Sequence, residues 1–354
     1  MRYMFAVIFA FICTTSAQAD AGKSLRFYNW NDYMVEDVLS DFTKETGIKV
    51  ETPIFGSLEE MLKVVRSGEA FDILVPSHYA LPALIDEGYL QPLDKTKLPN
   101  WAYIDPRLMV KLAPFDPQNL YGAPFLWGSI GIAYNKPQAE AAFGGPLPES
   151  WDLFFNPKLT SRFTGCGVSA LDAASETLSI LLNYKGYSLK RTSPLRIEQI
   201  GSILDTLRPN LRFVDDARTL AELSQGKLCL AISWAGEALQ ARAGGQPVEF
   251  FIPREGSVMF LDSLVIPANS PNPELAYQFI NFMMRPEIVA RLTEGLFFAN
   301  YNLEAAKFLD PALANNRSIY PDTAIMRRLH ALEPLSEVQE AARDRIWTRF
   351  VEGK

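Results

Sequence analysis

Three features of the chain predict an α/β fold in two lobes. Strand and helix patterns alternate along it, the helix patterns carry start and stop signals, and a length of 354 residues suits two compact halves better than one. The apolar stretch LRFYN (25–29) reads as a strand and MVEDVLSDFTKETG as an amphipathic helix that stops at Gly47; KVETPIF (49–55) is a second strand. In SLEEMLKVVRSG, Ser57 and Glu60 have the spacing of a capping box and Gly68 ends the helix. FDILVPS (71–77) and the helical ALPALIDEGYL complete a repeated β-α-β pattern. Right-handed crossovers then bring Asn29-Trp30 and Pro76-Ser77 to one edge, the edge at which open α/β sheets bind ligands.

The same grammar returns after YGAPFLWGSIGIAYN (121–135). A helix is predicted near 174–185, a strand at LRFVD (211–215), a helix at TLAELSQGK and a strand at LCLAISW (228–234). VEFFIP and VMFLDSLVIP, between 247 and 267, are strands again, and from PELAYQFINFMMRPEIVARL to SEVQEAARDRIWTRFVEG the chain is mainly helical. No repeat or low-complexity tether is visible, so the lobes must be joined by short extended crossings.

The first 19 residues stand outside this pattern. Arg2, an apolar run from Tyr3 to Cys13 and the small-residue site Ala17-Gln18-Ala19 are the parts of a cleaved secretory signal. The run is short for a membrane span, and Ile12 is too bulky for the residue a lipoprotein signal places before its cysteine. A soluble, exported protein is expected. Of 34 basic residues only Arg2 leaves with the signal, against 41 acidic ones, so the mature charge is about −8. With no Lys/Arg-rich face, that balance argues against nucleic acid and suits a cationic partner.

Few residues are suited to catalysis. His78 and His330 are the only histidines, and no H-E-x-x-H, C-x-x-C, calcium-loop or G-x-S-x-G motif occurs, so neither a dedicated metal site, a cofactor nor a serine triad is expected. Gly165-Cys166-Gly167-Val168-Ser169-Ala170 fits a loose dinucleotide pattern, but NPKLTSRFT before it is no buried strand, and the glycines read as a turn. Once Cys13 is gone, Cys166 and Cys229 remain as an even pair in a compartment where disulfides persist; pairing is expected, two separate buried thiols being the alternative.

Aromatic residues and acids recur together at element ends: Trp30, Asp32 and Tyr33; Ser77 and Tyr79; Glu176 at a helix start; Trp234 and Glu237; Phe260 and Asp262. Taken singly, each acid has an ordinary explanation, since first helical turns favour acids and most carboxylates are solvated. Assembled at strand-to-helix edges, they would form a cage.

In order along the chain, YNWNDY, FDILVPS, LDKTKLPNW, YGAPFLWGSIGIAYN, LDAASETLSILLNYKGY, CLAISWAGEALQA, FLDSLVIP and AYQFINFMMRPEIVA closely resemble the periplasmic polyamine-binding proteins, the putrescine-binding type most. The resemblance covers nearly the whole mature chain. It implies the two-lobe periplasmic-binding-protein fold (type II) with crossings near Trp127 and Phe251: residues 20–127 plus about 252–302 as one lobe, 128–251 plus about 303–354 as the other. It also implies ligand-contacting roles for Trp30, Asn31, Asp32, Tyr33, Ser77, Glu176, Trp234, Glu237, Phe260 and Asp262, with Tyr79 beside them, and a Cys166–Cys229 disulfide. The partners would be a polyamine and the membrane subunits of an ABC transporter, met in the periplasm by a monomer that catalyses nothing.

A diamine asks for carboxylates at both ends of a slot and aromatic faces along it. Asp262 with Glu237 is expected to hold one ammonium, Asp32 and Glu176 to lie nearer the other. Three departures from the putrescine type bear on ligand length: Glu237 for Asp, Phe298 for a tyrosine (with Tyr301 nearby) and the bulky Tyr79, which resembles the spermidine-preferring branch. Two competing readings remain. One is a sugar-binding protein, which would use Arg, Lys or Asn donors; the other is a glycoside hydrolase built on paired carboxylates.

Overall fold

The computed structural model describes residues 23–353, so the expected leader lies outside the described part of the chain. Strand β1 (Ser24–Trp30) lies parallel to β2 (Lys49–Glu51), β3 (Ile54–Phe55) and β4 (Ile73–Leu74). KVETPIF is thus two short strands, not one. Pro53 has no N–H for the ladder, and its carbonyl instead accepts the Asn29 N–H at 3.1 Å. Between these strands the helix Glu36–Thr46 stops at Gly47 in the left-handed region (φ 73°), as its pattern predicts. In helix Leu58–Arg66 the Ser57 hydroxyl accepts from Glu60 N–H, but the Glu60 carboxylate takes the N–H of Gly56 rather than that of Ser57, so only half of the predicted box forms.

The central strand β5 (Gly122–Asn135) is where the two halves of the sheet meet. Its first part pairs antiparallel with β10 (Ser257–Val265), and its second part with β8 (Leu230–Trp234) and β9 (Val248–Phe251). Beyond β8 follow β6 (Val168–Ala170) and β7 (Phe213–Val214), parallel to it, giving the order β2-β1-β4-β10-β5-β8-β6-β7. Two short strands complete the sheet, β11 (Ala299–Asn300) on β5 and β12 (Leu329–Ala331) on β10.

Each half is covered on both faces. Neighbours Phe27 and Tyr28 on β1 point oppositely, as strand geometry requires: Phe27 packs with Val38, Phe42 and Phe279, Tyr28 with Phe55, Met61 and Phe71. In the other half, Trp151, Phe154, Leu181, Leu204 and Phe350 cover one face, and Ala133, Phe213, Leu223 and Leu228 the other. The stretch from 303 to 354 does not stay on one side. Ala305, Leu309, Ile319 and Leu329 pack into the first half, because β12 adds to β10, and only from Leu332 through Ile346 and Phe350 does the chain join the second.

Cys166 and Cys229 are joined in a disulfide just ahead of the adjacent strands β6 and β8. Closing a loop of 63 residues destabilises the unfolded chain by about 4 kcal/mol in the loop-entropy model. Gly165 and Gly167 precede β6 rather than follow a strand, which agrees with the turn reading. The expected two-lobe α/β architecture is therefore present.

Candidate functional site

Asp262 lies on β10 where its register with β5 shifts, between Leu261 and Ser263. Irregularities of this kind re-aim side chains next to binding sites, which accounts for an acid within an apolar strand. Its carboxylate is buried and accepts the Ser77 hydroxyl at 2.5 Å. Burial, and after it the nearby Asp262 charge, raises the pKa of the buried Tyr33 and Tyr301 hydroxyls, and neither closes a hydrogen bond of its own. Loss of hydration pushes the Asp262 carboxyl up to about 7, against the Ser77 hydrogen bond that favours its charged form.

A chain of rings leads away from this corner. Tyr33 meets Phe298 at 5.6 Å, Phe298 meets Phe260 at 5.3 Å and Phe260 meets Trp234 at 5.4 Å, all edge-to-face. Two glycines make the approach possible: a Cβ on Gly128 would meet Phe260, and one on Gly236 would meet Phe298, each at 2.6 Å. Trp30 sits apart. Its ring meets that of Phe55 at 4.5 Å, tilted by 54°, and its indole N–H donates to Val75 O, so its orientation is fixed by the first half of the sheet.

Three acids approach from the second half. Glu176, Asp216 and Glu237 occupy the first turns of helices Ala174–Tyr184, Asp216–Ser224 and Ala235–Ala243, which follow the parallel strands β6, β7 and β8. The carboxyl ends of parallel strands are where an α/β sheet presents helix starts to a ligand. A helix dipole alone would lower these pKa values; burial prevails and raises them. Glu237 is pushed up to about 8 by burial and the Asp216 charge, although Ser233 donates to it at 3.2 Å. Burial raises Glu176 to about 7 and Asp216 to about 6, each aided by acidic neighbours.

The structure brings together Tyr33, Ser77, Trp234, Phe260 and Asp262, with Glu176 and Glu237 joined through Asp216. Tyr79, half-buried, feels the charges of both Glu176 and Asp262. Asn31 and Asp32 do not enter the enclosed set: both are exposed, Asp32 adopts φ 52°, and the Asn31 amide donates to it at 2.8 Å. Asp216 was absent from the sequence-based set. The rule that selected Glu176 and Glu237, an acid opening the helix after a strand, points equally to Asp216 after LRFVD. His78 is no ligand candidate; burial holds its pKa down at about 3, and its ring ties Leu332 O to Leu261 N–H.

None of the four carboxylates makes an ion pair among the described residues, although the surface of the same protein carries many. Four acids left unpaired in a partly desolvated space are costly unless a cation is to occupy it.

The family model for bacterial extracellular solute-binding proteins matches residues 37–319. The putrescine-binding periplasmic protein SpuD of Pseudomonas aeruginosa is 37% identical over 346 residues, covering 96% of this chain and 94% of the relative. The putrescine-binding periplasmic protein PotF of Escherichia coli is 37% identical over 343 residues, covering 94% and 92%. Among solved structures, the spermidine/putrescine ABC transporter substrate-binding protein PotD of Streptococcus pneumoniae superposes with a TM-score of 0.80 at 30% identity, covering 94% of this chain and 99% of that one. With its two-lobe sheet and the acid-and-aromatic set between the halves, the chain belongs to the bacterial extracellular solute-binding protein family, alongside putrescine- and spermidine/putrescine-binding members.

Proposed function

We propose that this protein captures a polyamine in the periplasm, putrescine ahead of spermidine, and hands it to the membrane subunits of an ABC transporter without catalysing a reaction. The observation that carries the reading is the unpaired set Glu176, Asp216, Glu237 and Asp262 beside the wall Tyr33–Phe298–Phe260–Trp234. Asp262, with Ser77 in support, takes one ammonium; Glu176, Asp216 and Glu237, the last expected from the sequence beside Asp262 but sharing its field with Asp216, take the other, with Asp32 at the rim. The rings and Trp30 line the methylene chain. Each charge-assisted hydrogen bond contributes about 1.5–3 kcal/mol and each cation–π contact about 0.5–2, enough together for micromolar binding or tighter. A neutral sugar would leave all four charges uncompensated.

The lobes divide, in this reading, along the two pairs of cores, with the chain crossing within β5, between β9 and β10, and a third time after β12. A ligand touching both lobes favours their closed arrangement by its differential affinity for it. The protein works as an exported monomer.

Calorimetry against putrescine, cadaverine, spermidine and agmatine tests the assignment, with tryptophan fluorescence reporting occupancy near Trp234. Saturable heats and a fluorescence change with at least one diamine are expected. A flat response and an unchanged melting temperature with all four would overturn the reading.

A further inference from the structure

We propose that Arg343 sets the length of polyamine the slot accepts, by placing a positive charge just beyond Glu176 where the third ammonium of a triamine would have to lie. The inference rests on the polyamine reading above. Arg343 comes from the C-terminal helix Glu337–Glu352, and its side chain is only 17% exposed. One guanidinium nitrogen donates to the hydroxyl of Ser175, the residue before Glu176, at 2.9 Å, and another donates to Asp344 at 2.8 Å. Its charge reaches Glu176 and Tyr79, opposing the burial that raises both.

The surroundings extend the same sign. From Tyr79 and Ser175 a groove of about 1410 Å³ opens between walls drawn from both halves of the molecule. Seven Lys and Arg side chains line it against four glutamates, in a protein whose formal net charge is −7. Lys63, Arg191 and Arg327, all on these walls, make no ion pair among the described residues. Glu59 is the glutamate whose charge also reaches Glu176 and Tyr79, and it offsets one of the cations. The potential therefore reverses at Tyr79: carboxylates without cations on the slot side, an excess of cations on the groove side. A four-carbon diamine keeps both ammoniums on the negative side, whereas a longer polyamine must extend a charge into the positive one.

Calorimetry with putrescine and spermidine on the wild type, Arg343→Met and Arg343→Lys is the test, with melting temperatures as a folding control. Methionine keeps the packed stem and removes the charge. Spermidine affinity should rise about tenfold while putrescine affinity moves by less than about threefold, as expected for one like charge removed from a partly screened site. Arg343→Lys should restore the wild-type ratio. Should the methionine variant be unstable, the double variant Lys63→Gln/Arg191→Gln, exposed at both positions, should still raise spermidine affinity by about threefold. Putrescine bound normally with a spermidine-to-putrescine ratio unmoved in every variant would overturn the assignment of Arg343 alone. Wild-type protein that binds neither ligand would instead overturn the polyamine reading beneath it.

Discussion

Asp262 stands alone among hydroxyls, whereas Glu176, Asp216 and Glu237 stand together at three helix starts. The first carboxyl is raised by lost hydration alone, partly offset by the hydrogen bond from Ser77. The other three are raised by lost hydration first and then by neighbouring acids, Asp216 acting on both glutamates and Asp172 and Asp215 acting on Asp216. The difference teaches how a slot for a dication can be asymmetric without any basic residue hydrogen-bonded to its acids. On the proposed reading, one end offers a single charge with a preset hydrogen bond from Ser77, and the other a negative field shared by three acids.

The largest expected effect comes from breaking the solitary end. Asp262→Asn leaves an ammonium facing only neutral groups and should weaken putrescine binding by roughly a hundredfold or more, as truncating one partner of a buried charge pair does. An affinity within a few-fold of wild type in calorimetry would mean that Asp262 is not the anchor. Glu237→Gln should weaken binding by only about tenfold, because Asp216 and Glu176 keep the field negative. It should also stabilise the empty protein at pH 8 by removing one repelling charge. A loss as deep as that of Asp262→Asn would show that the second end has a single anchor too.

The smallest effect is on stability against pH, and its sign follows from the raised values. These carboxyls bind protons near pH 6–8 in the fold but near 4 in the unfolded chain, so the stability they contribute is complete below about pH 4 and is lost as pH rises through 6–8. The melting temperature of the empty protein should fall between pH 5 and 8. Saturating putrescine should flatten that slope, and binding at pH 7 should release protons, seen as an enthalpy that varies with the buffer. A ligand-free protein whose melting is flat over this range would contradict the unpaired state of the acids.

Much of this was legible in the sequence because it depends on local chemistry. Period-two and period-3.6 apolar patterns fix which faces of β1, β5 and their helices are covered, Gly47 has to end its helix, and the order of strands and helices dictates which ends lie on the ligand edge. The apolar pattern of KVETPIF hid the break at Pro53, since periodicity does not register a missing donor. The even pair of cysteines was visible, and so were Glu176, Glu237, Asp262 and their aromatic companions as residue types suited to a cation. What only the tertiary structure decided is which of them meet. Tyr33, Phe298 and Phe260 are brought edge to face by Gly128 and Gly236, glycines unremarked in the sequence. The Asp262 carboxylate closes on Ser77 across 185 residues of chain. Asp216 joined the set and Asp32 stayed at the surface because burial, which sets the free energy of a charge, is a property of the packed fold and not of a residue's neighbours in sequence.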